Sequence, residues 1–325
     1  MRSHPVVHYR RELLTTPDGG ELYLDWLDNG CENSNDHDGY PTVLVMPGLT
    51  GDSKHGYVLH YVKQIQELGY RVVVFNNRGL AGAQLRTPRS FCAANTDDVE
   101  FVIHHLNTSK PGIRLVVVAV SLGGIILTNY LLKMGKSRPT GLVAAMTISV
   151  PWNTFKSSES LEEPLNWFIF NRHLTNCLHK LVRNHQSMMS KAGITRKVNI
   201  DHVFQSRTIR EFDDSFIAPM FGFRDSDHYY DTATLHSKPL EEISVPLLSL
   251  AAADDPFAPV SSLPLEKIKE CSNVVMALTS FGGHIGFTEG LLPIGAGYAD
   301  RLMCQYVRAI FENQESIKDW NCVYD

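Results

Sequence analysis

Residues Ile113 to Tyr130 read IRLVVVAVSLGGIILTNY. The β-branched run Val116, Val117, Val118 and Val120 meets Ser121, Gly123 and Gly124 follow, and apolar text continues to Tyr130. Branching at Cβ favours the pleated strand over the helix. The stretch therefore predicts a buried strand, a sharp turn with a serine at its tip, and a helix. That is the backbone context of an exposed nucleophilic serine. The motif is Ala119-Val120-Ser121-Leu122-Gly123, with Ala where G-x-S-x-G has its first Gly. Small residues are needed on either side of the serine because strand and helix approach closely there. Taken alone, the same residues also describe a serine capping a helix, so the rest of the chain decides.

A serine that attacks a carbonyl needs a base, and the base needs an acid to fix its tautomer and stabilise its cation. At strand–turn–helix sites the chain order is serine, then acid, then histidine. Of the 14 histidines, only His284 lies beyond the strand expected at Val245 to Ala252. It stands in Phe281-Gly282-Gly283-His284-Ile285-Gly286, directly after the last expected strand. The acid should follow the preceding strand, where Asp254-Asp255-Pro256-Phe257-Ala258-Pro259 is found. Asp255 is chosen over Asp254 because Ala252 stands three before it and Pro259 four after it. Two backbone amides should receive a developing oxyanion. One is that of Leu122, at the start of the helix after Ser121, where the helix dipole assists. The other is that of Leu49, in the turn Pro47-Gly48-Leu49-Thr50-Gly51.

The flanking text alternates strands and helices. Residues 9 to 27 alternate around Pro17-Asp18-Gly19-Gly20 and predict an opening hairpin. Asn29 to Asp38 is a polar, acidic surface loop. A strand is expected over Thr42 to Met46. A helix follows with Tyr57, Val58, Tyr61, Ile65 and Leu68 on its apolar face and Gly69 closing it. Next come a strand over Tyr70 to Phe75 and a helix over Asp97 to Leu106 with Thr96 as its cap. Beyond the opening stretch, strands are expected at Leu142 to Val150, Val245 to Ala252 and about Lys269 to Leu278, and a final helix at Tyr298 to Phe311. This alternation implies a mostly parallel twisted sheet with helices on both faces. Between Pro151 and Leu240 the rhythm breaks into aromatic and basic helical text, including an amphipathic piece from Ile209 to Phe223. The expected organisation is one catalytic domain: a core in two parts, residues 1–150 and 241–325, with a helical cap, residues 151–240, inserted between them.

Lys plus Arg number 30 against 35 Asp plus Glu, a net charge of −5, which argues against a dedicated nucleic-acid binder. The six cysteines, Cys31, Cys92, Cys177, Cys271, Cys304 and Cys322, form no C-x-x-C pair and read as reduced thiols. No run approaches the roughly 18 apolar residues of a membrane span. Gly135-Lys136-Ser137 has the ending of a phosphate loop, but Tyr130 occupies the position of its first glycine, and the segment follows a helix instead of preceding one. His173, His179 and His185, six residues apart, do not stack on one helix face and read as a solvated surface, not a metal site.

Together, Pro47-Gly48-Leu49-Thr50-Gly51, Phe75-Asn76-Asn77-Arg78-Gly79, Ala94-Asn95-Thr96-Asp97-Asp98, the Ser121 motif, Trp152-Asn153-Thr154-Phe155, Asp254-Asp255-Pro256-Phe257 and Gly282-Gly283-His284-Ile285-Gly286-Phe287 resemble the AB-hydrolase family of α/β-hydrolase domain-containing proteins, types one and three above all. The match covers about residues 8 to 312. It implies an α/β-hydrolase fold and a phospholipase- or lipase-like serine hydrolase with Ser121, Asp255 and His284 as its triad. The substrate would be a glycerophospholipid or acylglycerol drawn from a membrane surface, and no metal or organic cofactor is required. Three departures stand out. Ala119 replaces the usual Gly, the N-terminal membrane span of relatives is absent here, and the family's H-x4-D motif is missing from the cap, where Leu178 and Asn184 follow His173 and His179 by five. The expected location is cytoplasmic or peripheral to a membrane. Two other readings keep the fold: a lipid acyltransferase using the same triad, and a non-catalytic lipid-binding protein.

Overall fold

The computed structural model describes residues 4–28, 39–191, 197–290 and 295–313. The acidic loop expected at Asn29 to Asp38, and with it Cys31 and Cys322, lies outside the described residues. The chain opens with an antiparallel hairpin, β1 (Arg10–Thr15) and β2 (Glu21–Leu27), whose turn is closed by Thr16 and Gly19. Then follow β3 (Pro41–Met46), α1 (Gly56–Glu67), β4 (Arg71–Asn76), α2 (Asp97–Ser109), β5 (Arg114–Val120), α3 (Leu122–Met134) and β6 (Ala144–Ile148). After a helical insertion come β7 (Leu247–Ala252) and β8 (Val274–Thr279). All eight strands form one sheet in the order β1-β2-β4-β3-β5-β6-β7-β8. From β4 to β8 every pairing is parallel, and β2 joins β4 antiparallel.

The valine run of β5 shows why the sheet needs two covered faces. Leu115, Val117 and Ala119 join the core shared with α2, α3 and the insertion, whereas Val116, Val118 and Val120 join the core under α1 and the last helix. Alternation of side chains across a strand requires this split. Each valine fully buried contributes about 1.5–3 kcal/mol, so both faces hold the strand.

β3 lies between β4 and β5, so the chain turns to one side of it and then to the other. Such a reversal leaves a crevice at the carboxyl ends of the strands on either side of it, where ligands bind in open α/β sheets. The loops after β3 and β5 carry Leu49 and Ser121.

Among its described residues the insertion has helices joined by turns and no strand. It comprises α4 (Thr154–Glu162), α5 (Pro164–Asn166), a π turn at Trp167–Asn171, α6 (Arg172–Lys191), α7 (Ile200–Val203), α8 (Ile209–Phe212), a second π turn at Asp213–Ile217, α9 (Ala218–Phe221) and α10 (Ser226–Ala233). The Ile209 to Phe223 piece is thus not one regular helix: the π turn widens it in the middle. The two ends of the insertion meet, because the Trp152 carbonyl accepts from the amides of Leu235 and His236, both at 2.9 Å. Asn153 caps α4, its Oδ1 accepting from Phe155 and Lys156.

Other expectations need correction. Thr96 makes no side-chain cap on α2; Asn95 accepts from the Asp97 amide instead. Lys269 ends α11 (Leu265–Lys269), and the strand begins only at Val274. The final helix is α12 (Tyr298–Glu312). His179 and His185 are buried, not solvated, because α6 is covered on two sides. His179 Nε2 lies 2.9 Å from the Val203 carbonyl, and His185 Nε2 donates to the Gly79 carbonyl at 2.7 Å. Among the described residues no three His, Cys, Asp or Glu side chains are grouped as a metal site.

The motif at Asn76 to Gly79 is structural. Arg78 is buried and forms ion pairs with Asp98 on α2 at 2.6 Å and with Asp18 in the hairpin turn at 2.7 Å. Its guanidinium holds the Asp18 carboxyl well below the usual range, mainly by hydrogen bonding. Asn76, Asp25 and Ser53 form a second buried knot: Ser53 Oγ donates to Asp25 Oδ2 at 2.5 Å, and the Ser53 amide donates to Asn76 Oδ1 at 2.9 Å. That knot fixes the loop after β3.

Candidate active site

Ser121 sits between β5 and α3 with φ 52° and ψ −119°, a left-handed conformation that an L residue adopts only under strain. Its amide donates to the Ile148 carbonyl at 2.9 Å, which pins the turn to the end of β6. The close approach predicted from small residues is real at Gly123, where an added Cβ would stand 2.6 Å from the Pro47 carbonyl oxygen. A Cβ on Gly48 would fall 3.1 Å from that of Ser121. Ala119 fits in the sheet, buried between its register partners Met46 and Thr147. The methyl group therefore leaves the turn intact.

The structure brings Ser121, His284 and Asp255 together across 163 residues of chain. Ser121 Oγ lies 2.9 Å from His284 Nε2, and His284 Nδ1 lies 2.9 and 3.1 Å from the two carboxylate oxygens of Asp255. With a carboxylate accepting at Nδ1, the neutral ring carries its proton there, so Nε2 accepts from the serine hydroxyl. The Asp255 side chain is 1% exposed and that of His284 13%, so the pair works in a water-poor setting. Asp254, the residue passed over, does not reach the ring. Its Oδ1 accepts instead from the Gly283 amide at 2.8 Å and so positions the loop that carries His284.

Leu49 and Leu122 line the cavity beside Ser121. Among the described residues, neither of their amides donates to a protein acceptor. The two loops are neighbours because β3 pairs with β5, Met46 opposite Ala119.

Two positioning contacts were invisible in the sequence. Tyr57 stands at apolar helical spacing on α1, yet its hydroxyl accepts from the Gly48 amide at 2.9 Å. Burial pushes this phenol up to about 12, so it stays neutral. Phe257 stacks on the His284 ring, with centroids 4.0 Å apart and planes 18° from parallel, while its amide donates to Asp255 Oδ1 at 2.8 Å. Phe170 of the insertion meets Phe257 edge-on at 5.3 Å, which links cap and site. An aromatic residue two beyond the acid was the only available signal.

Above Ser121 lies a cavity of about 300 Å³, walled largely by apolar side chains of the insertion such as Leu161, Leu174, Leu178, Phe212 and Phe216. Cys92 also lines it, but burial pushes the thiol up to about 12, which removes it as a rival nucleophile. Among the polar side chains that line it is Asp213, on the second π turn. Its Oδ2 accepts from the Tyr230 hydroxyl at 2.9 Å, and burial raises the acid to about 7.

The chain has known relatives. Residues 40–263 match the family described as serine aminopeptidase, S33. Phospholipase ABHD3 of Bos taurus is 48% identical over 312 residues, 96% of this chain and 74% of that protein. The chain belongs to the α/β-hydrolase family. A more distant relative in the family, monoacylglycerol lipase of Saccharomyces cerevisiae, is 26% identical over 96% of this chain and 76% of its own. Among solved structures, the Pyrococcus furiosus esterase Pf2001 shares the fold with a TM-score of 0.57 at 16% identity, covering 96% of this chain and 97% of that one. No helix among the described residues is long and apolar enough to cross a membrane.

Proposed function

We propose that this α/β-hydrolase cleaves carboxylic esters of lipids, phospholipids or acylglycerols, through Ser121, His284 and Asp255. The observation that carries the reading is the unbroken chain of hydrogen bonds from Asp255 through His284 to Ser121 at the floor of an apolar cavity. The names of the relatives, phospholipase and monoacylglycerol lipase, agree with that chemistry.

Ser121 Oγ attacks the ester carbonyl carbon as Nε2 of His284 takes its proton. Asp255 stabilises the imidazolium and keeps Nδ1 protonated. The carbonyl oxygen, now an anion, is received by the amides of Leu49 and Leu122, each donor contributing about 3–4 kcal/mol. Collapse breaks the bond to the alcohol, which leaves with the proton held at Nε2. Water then attacks the acyl-serine, again with His284 as base, and the free acid departs. The carbonyl would sit over Ser121 with the acyl chain among the apolar side chains of the cap.

A serine-directed fluorophosphonate probe tests this: labelling should occur in the wild type and vanish in Ser121→Ala. Equal labelling of both proteins, or none of either, ends the proposal.

A further inference from the structure

At about 300 Å³ the cavity stands at the small end of ligand sites. It accepts part of a diacyl lipid, so the remainder must stay outside its mouth. The mouth on the cap side is marked by Ile169 and His173, which line the cavity and are also exposed.

Beside it, Leu165 of α5 and Phe168 of the π turn face solvent, 69% and 65% exposed, with Ile169 at 48%. The exposed residues Arg172, Asn176, Lys180, Arg183 and Ser187 follow along α6 at intervals of three or four. Such spacing lays them in one stripe on the helix. Among the described residues no carboxylate pairs with Arg172, Lys180 or Arg183; Arg183 rests on the Phe204 ring. From Pro164 to Ile200 there is no acidic residue, although the whole protein has 35, and Arg172, Lys180, Arg183, Lys191, Arg196 and Lys197 lie within that span.

We propose that this stripe docks the cap onto an anionic lipid bilayer, with Leu165, Phe168 and Ile169 entering the interface and the basic side chains of α6 meeting acidic headgroups. The commitment to an anionic surface comes from charge: exposed basic side chains on a helix that holds no acidic residue complement acidic headgroups. Aromatic and aliphatic groups on a basic helical face suit an interfacial position. Docking there would set the cavity mouth against the lipid, so that one chain enters while the headgroup and second chain remain in the membrane.

The inference rests on the lipid-ester reading but is tested without turnover. Wild type, Arg172→Glu/Lys180→Glu and Leu165→Ser/Phe168→Ser are floated with phosphatidylcholine vesicles, with and without phosphatidylserine. All four substituted side chains are exposed and outside the cavity wall. Wild type should bind the phosphatidylserine vesicles in preference and lose that preference in high salt. The charge-reversed variant should bind them at least about tenfold more weakly. The Leu165→Ser/Phe168→Ser variant should weaken on both vesicles. Each variant should cleave a water-soluble short-chain ester at the wild-type rate yet fall behind on vesicle lipid. Equal binding to both vesicles, or variants that bind like wild type while soluble-ester cleavage persists, overturns the docking surface and leaves the catalytic reading standing. So does a wild-type dimer that Leu165→Ser/Phe168→Ser dissolves, which would assign the stripe to a second copy of the chain.

Discussion

The carboxyl edge of the sheet and the inserted cap meet at one cavity, but they are built by different means. At the sheet edge polar pairs set the positions: Asp255 with His284, Asp254 with Gly283, Gly48 with Tyr57, Ser53 with Asp25. In the cap two π turns interrupt the helices, and both reach the cavity, one with Ile169 and Phe170, the other with Asp213, Phe216 and Ile217. π turns recur at functional positions because they break regular helical spacing and redirect side chains. The contrast separates two jobs. In the proposed reaction the edge fixes where bonds break, and the cap fixes what fits above them.

The comparison breaks first if the edge tolerates loss of a polar partner. Asp255→Asn should lower kcat about 10³- to 10⁴-fold, by disturbing the tautomer and charge of His284. Asp254→Asn should cost far less, and steady-state kinetics of the two on a soluble ester measure the difference. An equal loss in both would erase the distinction between acid and loop anchor.

Arg78→Met removes the partner of two carboxylates and should destabilise the fold by about 3–5 kcal/mol, read by urea denaturation. If the unfolding midpoint holds, the Asp18–Arg78–Asp98 cluster does not support the core.

Asp213 sharpens the cap side. Its acid is raised in the folded state, so folding favours the neutral form. The stability that goes with this neutral form is complete below the unfolded value near 4 and is lost as pH rises through about 7. Asp213→Asn keeps an acceptor for Tyr230 and removes the ionisation. The variant should gain stability over wild type by up to about 4 kcal/mol at pH 8 and show little difference at pH 4. Thermal melts across that range decide it, and a gain independent of pH would refute the assignment.

Smallest is Tyr57→Phe, which frees the Gly48 amide. A fall of about tenfold in kcat, with KM unchanged, is expected from a loosened oxyanion donor at Leu49. A change in KM alone would place Tyr57 in substrate packing.

The two regions were also unequally legible in the sequence. Val116 to Gly124 announced their strand, turn and helix because steric preference at Cβ and at glycine is local. Chain order then led to Asp255 and His284, which the structure brings to Ser121. The hydroxyl of Tyr57 was not legible, since a tyrosine at helical spacing looks like core until its partner is seen. His179 and His185 were misread because their partners, near Val203 and at Gly79, lie 24 and 106 residues away. The π turns left no mark, since Trp167 to Asn171 and Asp213 to Ile217 have residues that suit ordinary helix. Local rules reach the sheet edge; the cap is determined by tertiary packing.

The meeting of Trp152 with Leu235 and His236 has a consequence for how such a protein can diverge. An insertion whose two ends are tied at one point is, for the strands around it, no more than a long loop. It can be shortened, enlarged or exchanged with a relative's without changing strand order or moving β6 from β7. New substrate ranges can thus arise by replacing a module while the bond-breaking machinery is inherited unaltered, and a chimera spliced at Trp152 and His236 is the natural place to begin redesign.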